Sequence, residues 1–268
     1  MLRPEGCAGS SPASGTKQGK RGSVMRALAG AVLVAVAAAL TGCAAAADPT
    51  ADFTSWASAR EFVVSVDAGP ADGLTAHIVV DGAIDAEQLE ELSSGAWTEA
   101  AALGVDSPAI NLIVGNAWGF SVDAAGEHVA AVNRLRDDRA FVGATVEYEP
   151  LNAKAGSATG VRGVVGSQAA LRDAYSALVT AMGDDVEETT VSASTADGAY
   201  VITGTGATQP EAAIALWQAI SGRVLISAAT AGPEGLDITV PTATDQQVAE
   251  AIGTEHPDVA LTVHQQSR

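Results

Sequence analysis

The side chains best able to do chemistry are few and far apart. Four histidines, His77, His128, His256 and His264, are scattered along the 268 residues without the H-x-x-x-H spacing by which one helix presents two imidazoles to a zinc ion. Two cysteines, Cys7 and Cys43, allow one disulfide at most, and neither falls in the part that reads as globular. Asp184-Asp185 and Glu187-Glu188 are paired carboxylates of the kind used for general acid and base work, but they follow Gly183 where a loop gives way to a strand, and a solvated acidic edge is the favoured reading. Gly204-Thr205-Gly206 follows a strand-like run and precedes a helix, where a phosphate loop would sit. A dinucleotide fingerprint needs glycine or alanine three residues on, and Gln209 stands there, so the segment reads as a helix-entry turn. Beyond residue 43 no G-x-S-x-G elbow, S-x-x-K or D-x-[DN]-x-[DN]-G calcium loop occurs.

The remaining candidate is aromatic. In Asn116-Ala117-Trp118-Gly119-Phe120, a two-residue reversal at Gly115-Asn116 would place Trp118 and Phe120 on one sheet face with Ile113. That face is core on the favoured reading; if open, it is a patch for a partner or ligand. The sequence thus offers Trp118 and Phe120 as a binding patch and no catalytic, metal or cofactor residue.

Composition sets the class. The chain is 47% hydrophobic and 4% aromatic, with 14 Lys+Arg against 32 Asp+Glu, which suits one or two folded domains and excludes a disordered chain. Residues 1–43 hold five of the bases and one of the acids, so the remainder carries nine bases and 31 acids, a formal net charge of −22. Lys154 is the only lysine in that remainder. Nucleic acid and anionic headgroups are held by clustered Lys and Arg, so neither is an expected partner of the folded part. Solubility accounts for the acidity; a calcium ion or basic partner is the lesser alternative.

Residues 27–40 are an unbroken run of Ala, Val, Leu and one Gly, preceded by Lys17, Lys20, Arg21 and Arg26. Fourteen residues are too few for a transmembrane helix, which needs about 20, and suit the apolar region of a signal peptide. The run ends in Leu40-Thr41-Gly42-Cys43, which resembles the lipobox of bacterial lipoproteins. The resemblance implies cleavage before Cys43, acylation of Cys43, and attachment to the extracytoplasmic side of the cell membrane by lipid alone. A secretory signal with a chance cysteine is the alternative. Met25-Arg26 could open a complete signal by itself, leaving the true start at Met1 or Met25.

The elements that must position any site follow in two copies. Strands at 62–66 and 76–80 flank Asp72-Gly73; strands at 190–193 and 200–203 flank Asp197-Gly198. Each hairpin leads to a helix with a capping box, Asp85-x-x-Gln88 or Thr208-x-x-Glu211. Strand pairs at 110–114 with 118–122, and at 224–228 with 236–240, come next, then helices at 124–136 and 243–252, then closing strands at 145–148 and 260–263. From Ala76 or Tyr200 the order is βαββαβ, the ferredoxin-like sequence of elements. The offset between copies drifts from 124 residues for Gly82 and Gly206 to 117 for Thr145 and Thr262. A further helix, with Leu171, Ala174, Tyr175, Leu178 and Met182 at helical spacing, precedes the later hairpin.

With Val201-Ile202-Thr203-Gly204-Thr205-Gly206 entering a helix, the αββαβ order over residues 167–228 resembles the BON domain of bacterial envelope proteins, and residues 51–114 do so more loosely. That resemblance implies binding to membranes or other envelope components, the first of which the acidity opposes.

The expected fold is α+β, two related ferredoxin-like or BON-like sandwich domains. Its parts are a signal peptide over 1–43, a tether over 44–51, a first domain over 52–150, a linker over 151–162 and a second domain over 163–268. The expected role is non-catalytic binding or structure in the envelope, with an envelope protein or small molecule as partner and no cofactor. An envelope enzyme with a dispersed carboxylate site is the alternative, and a solute-binding lipoprotein a third, disfavoured by the small size of the two units.

Overall fold

Asp85 accepts the Gln88 amide at 2.9 Å while the Gln88 side chain accepts the Asp85 amide at 3.2 Å, the reciprocal bonds that satisfy two orphan donors at a helix start. The helix they open, α2, runs Ala86–Ala102 and buries Leu89, Leu92, Ala96 and Ala100. In the computed structural model, residues 48–70, 73–148, 160–182 and 189–266 are described. Among these residues five more α-helices accompany α2: α1 (Pro49–Ser58), α3 (Glu127–Asp137), α4 (Leu171–Met182), α5 (Glu211–Ser221) and α6 (Ala243–Gly253). The first six strands are β1 (Val63–Gly69), β2 (Thr75–Val80), β3 (Ala109–Val114), β4 (Trp118–Ser121), β5 (Phe141–Val146) and β6 (Gly160–Val165). The rest are β7 (Thr190–Thr195), β8 (Tyr200–Thr205), β9 (Ala228–Gly232), β10 (Gly235–Val240) and β11 (Leu261–Gln265).

Among the described residues, the eleven strands lie side by side in one sheet, in the order of the sequence. Pairing alternates strictly: the hairpin pairs β1·β2, β3·β4, β5·β6, β7·β8 and β9·β10 are antiparallel, and the pairs joined through helices α2 to α6 are parallel. A parallel pair needs a crossover of a dozen residues or so, which each helix provides. The order α-ββ-α-ββ-α-β occurs twice, as α1 to β5 and as α4 to β11, with β6 between.

The mixed α/β composition is as expected, but the arrangement is not the ferredoxin-like one. There a later strand inserts between the two strands of a βαβ unit; here β2 and β3, and β8 and β9, are direct neighbours. The described residues form one compact unit, and the sheet continues across the boundary expected at 151–162, because β6 pairs backward with β5 and forward with β7. The tether expected over 44–51 gives way to α1 at Pro49: Asp48 accepts the Thr50 amide at 3.0 Å, and proline fits the first turn, whose amides have no helical partner.

Three local expectations shift. Thr208 does not cap α5, which begins after Pro210; proline disfavours helical backbone at Gln209, and Thr208 instead turns back to Thr205. The strand expected at 224–228 lies at β9, with Val224 and Ile226 buried ahead of it. The closing strand of the first copy lies at Phe141–Val146, not at 145–148.

The β7–β8 hairpin is held by its turn side chains. Asp197 accepts the Thr195 hydroxyl at 2.6 Å and the Ala199 amide at 3.0 Å, and Gly198 takes φ +69°. The Thr195 hydroxyl and then the Ala199 amide hold the Asp197 carboxyl below its ordinary range. A carboxylate favoured in the folded state stabilises above its unfolded pKa, and the contribution fades as pH falls through the lowered folded value. Asp197→Ala is therefore expected to be less stable than the parent near neutral pH and indistinguishable from it in strong acid. Urea midpoints at both pH values check this; an equal gap at both contradicts it.

Candidate functional site

Register divides the side chains of the sheet cleanly. On one face, Ala76, Ile78 and Val80 of β2, Ile110, Leu112 and Val114 of β3, and Leu236, Ile238 and Val240 of β10 are buried. The helices cover this face. A Cβ on Gly163 would meet the Phe141 ring and Leu178 of α4, and the Tyr200 ring stacks on Trp217 of α5 with centroids 5.9 Å apart and planes 7° apart. At Gly204 a Cβ would meet the Tyr175 hydroxyl, the Thr208 carbonyl and Pro210, so the end of β8 is pressed onto α4 and leads into the turn before α5.

The opposite face carries no described helix and is rich in short hydroxyl side chains. Thr190 pairs with Thr205 and Ser192 with Thr203 across β7 and β8; Ser194 and, on β9, Thr230 continue the set. All but the exposed Thr230 are half-buried. Cross-strand Thr and Ser pairs suit an extended strand and leave hydroxyl donors and acceptors pointing away from the core. Arg162 is exposed in the midst of this face, in register with Thr145 on β5 and Ser192 on β7. It borders a cavity of about 310 Å³ with Thr145, Tyr148, Val164 and Ser194.

On the first half of the same face, one level of the sheet is polar across adjacent strands. Asp67, His77, Asn111 and Ser121 are successive partners on β1 to β4. The Ser121 hydroxyl donates to Asn111 Oδ1 at 2.8 Å and bears on the Glu147 carbonyl just beyond β5. Glu147 has φ +46°, which turns the chain so that Tyr148 lies over Gly119 and meets the His77 ring edge-on, with centroids 6.4 Å apart. Burial pushes the Tyr148 phenol up. His77 and Asn111 are buried beneath this lid, so they act as packing and hydrogen-bonding groups of the face.

Trp118 and Phe120 are not on that face. Val114 pairs with Trp118 and Leu112 with Phe120, so both aromatics share the helix-covered face with those residues and lie opposite Ile113. The reason is one residue. The reversal spans Gly115, Asn116 and Ala117, one more than a two-residue hairpin, and a shift of one flips every side chain. Phe120 is fully buried and Trp118 half-buried, so the aromatic pair is core and the patch expected from the sequence is withdrawn. Trp217 is core as expected. Cys43, Asp184, Asp185, Glu187 and Glu188 lie outside the described residues.

A cavity of about 940 Å³ lies along α3 and the end of α4, and its lining includes Glu127, His128, Arg134, Glu147, Thr180 and Met182. Asp123 accepts the amides of Glu127 and His128 at 2.9 and 3.1 Å and so caps α3. His128 Nδ1 lies 2.8 Å from the Ser121 carbonyl. A carbonyl only accepts, so Nδ1 carries the proton and neutral His128 keeps Nε2 as an acceptor. Arg134 donates to the Ala181 carbonyl near the end of α4 at 2.6 Å, a favourable place for a cation. Among the described residues, no three His, Cys, Asp or Glu side chains are grouped to hold a metal ion. The scattered histidines stay apart: His256 follows α6, and His264 faces Asp237 at 3.3 Å on β11.

No family model, curated protein or solved structure matches the chain. The hydroxyl face was missed in the sequence, although the alternation in Thr190-Val191-Ser192-Ala193-Ser194-Thr195 carries its signal.

Proposed function

We propose that the chain is a lipid-anchored cell-envelope protein with a non-catalytic binding or structural role, tethered through Cys43 and engaging an extended polar partner with the helix-free face of its sheet. The observation that carries the binding half is that face itself: short hydroxyl side chains on adjacent strands around Arg162, opposite the helix-covered core. Short side chains lose little rotamer freedom on binding and offer both donors and acceptors, which suits contact over an area better than capture in a pocket. The anchoring half rests on the lipobox resemblance at Leu40-Thr41-Gly42-Cys43. The BON-like reading and the internal duplication are supported by the repeated element order, in which α4, β7, β8, α5 and β9 supply αββαβ with antiparallel and then parallel pairing.

An envelope enzyme using dispersed carboxylates is a second reading, favoured by one observation: Glu127, Glu147 and His128 border a single cavity.

Cys43→Ala is the test of anchoring. The parent is expected in the membrane fraction, extracted only by detergent, and the variant in the soluble or unprocessed pool. Equal retention of both, with no lipid on residue 43, contradicts the proposal. Replacement of Ser192 and Thr203 by lysine tests the face: capture of envelope material by the native protein should fall while the folded signal persists.

A further inference from the structure

The two copies differ at one edge. In the first, the outer side of β5 is occupied by β6, which runs antiparallel to it from Phe141 opposite Val165 to Val146 opposite Val161. In the second, the equivalent strand is β11, and it is an end strand of the sheet; among the described residues nothing pairs with its outer side. Burial records the difference. Ala144 and Val146 of β5, beside Trp118 and Phe120 in register, are 2% and 0% exposed, whereas Leu261 and Val263, which hold the same places beside Leu236 and Ile238, are left half-exposed.

The hydrogen-bond phase fixes what the edge offers. Ala260 accepts from Leu236 at 2.8 Å and Gln266 donates to Val240 at 2.9 Å. Because a parallel ladder uses alternate residues of a strand, Thr262 and His264 bond inward, and Leu261, Val263 and Gln265 turn their N–H and C=O groups outward. Leu261-Thr262-Val263-His264-Gln265 contains no proline, lysine or carboxylate, the residues that ordinarily blunt an edge. The far edge is blunted: β1 carries Asp67, has a bulge between Val63 and Ser65, ends before Pro70 and is packed by α1.

We propose that β11 is the docking edge for a second copy of this chain, two β11 strands pairing antiparallel about a two-fold axis at Val263. The first copy supplies the template, since β11 would receive from its partner what β5 receives from β6. The strand is suited to self-pairing. Val263 meets Val263 of the second copy in a doubly hydrogen-bonded pair, Leu261 meets Gln265, and Thr262 meets His264, so no like charges are opposed. With the helices on one face, the two α6 helices come to lie two strand spacings apart, about 9–10 Å, an ordinary helix packing distance. The same spacing already brings α3 against α4 within the chain. With a net charge of −22 beyond residue 43 on each copy, association should strengthen as salt rises.

The test measures the protein mass of the full chain in detergent by light scattering, over a range of concentration and salt. The expected mass is twice that of one chain, and T262K/H264K, which sets cations opposite one another across the axis at two exposed positions, should halve it with an unchanged circular dichroism spectrum. V263P, which removes an outward N–H and no bond to β10, should do the same. Three outcomes overturn the proposal: a single-chain mass at every concentration and salt; a dimer indifferent to both variants; or a single-chain mass with the Leu261, Val263 and Gln265 amides protected from hydrogen exchange, which would mean the chain covers its own edge.

Discussion

Phe120→Ala is expected to destabilise the fold by about 3–5 kcal/mol, the range for truncating a fully buried aromatic side chain. Phe120 is 0% exposed and sits beneath the helices between Leu112 and Val146, its register partners on β3 and β5. The loss has two parts: the transfer free energy of the ring and the cavity left where close-packed neighbours relax only partly. Against a total stability of about 5–15 kcal/mol, such a variant sits near the margin, so Phe120→Leu, with an expected loss of about 1.5 kcal/mol or less, is the companion measurement. Trp118→Ala should cost less than Phe120→Ala, because Trp118 is half-buried at the start of the same strand. Urea midpoints at constant slope give these values. A Phe120→Ala variant of parental stability that had lost its partner would put the aromatic pair back on an open face.

Gly235→Ala is the second large effect. Gly235 has φ +141°, and a Cβ there would lie 2.1 Å from the Ala260 carbonyl oxygen and 2.9 Å from its carbon. Both atoms are backbone, so no side chain can swing aside, and that carbonyl accepts the Leu236 amide in the first bond of the β10–β11 pair. Backbone strain of about 1–3 kcal/mol and overpacking of about 1–3 kcal/mol are expected together. Gly198→Ala is the control: Gly198 also has positive φ, +69°, but nothing lies within 4 Å of its added Cβ. It should show the backbone part alone, about 1–2 kcal/mol. Hydrogen exchange should place the Gly235→Ala damage in β11. Equal and mild losses at both positions would contradict the close approach of β10 to Ala260.

Most of the helices and hairpins were legible because their signals are local. The Asp85 and Gln88 box, the Asp197-Gly198 turn and the stripe from Leu171 to Met182 each act over a few residues, and each marks its element. What the sequence hid depends on counting or on partners far along the chain. One residue, Ala117, decided which face Trp118 and Phe120 occupy. The strand β6, Gly160–Val165, has two glycines and follows a small-residue stretch, so it reads as linker; its ladders with β5 and β7 are what fuse the two halves into one sheet. The strand β9, Ala-Ala-Thr-Ala-Gly, has little β propensity of its own and is set by its neighbours, while the more apolar Val224 and Ile226 lie outside it. The helix α1 could have been read from Asp48-Pro49, a cap followed by a first-turn proline.

The hydroxyl face illustrates the same division. Alternation along β7 is visible in sequence, but only the pairing of Ser192 with Thr203 and with Arg162 gathers separate strands into one surface. The lipobox resemblance is a purely linear signal, and its reading stands on sequence alone.

The central claim, a polypeptide held to the membrane through one acylated cysteine, is tested most directly by mass spectrometry of the protein extracted from native membranes. The account predicts an N-terminal peptide that begins at Cys43 and carries added acyl mass; recovery of protein with residues 1–43 intact, or with Cys43 unmodified, would contradict it.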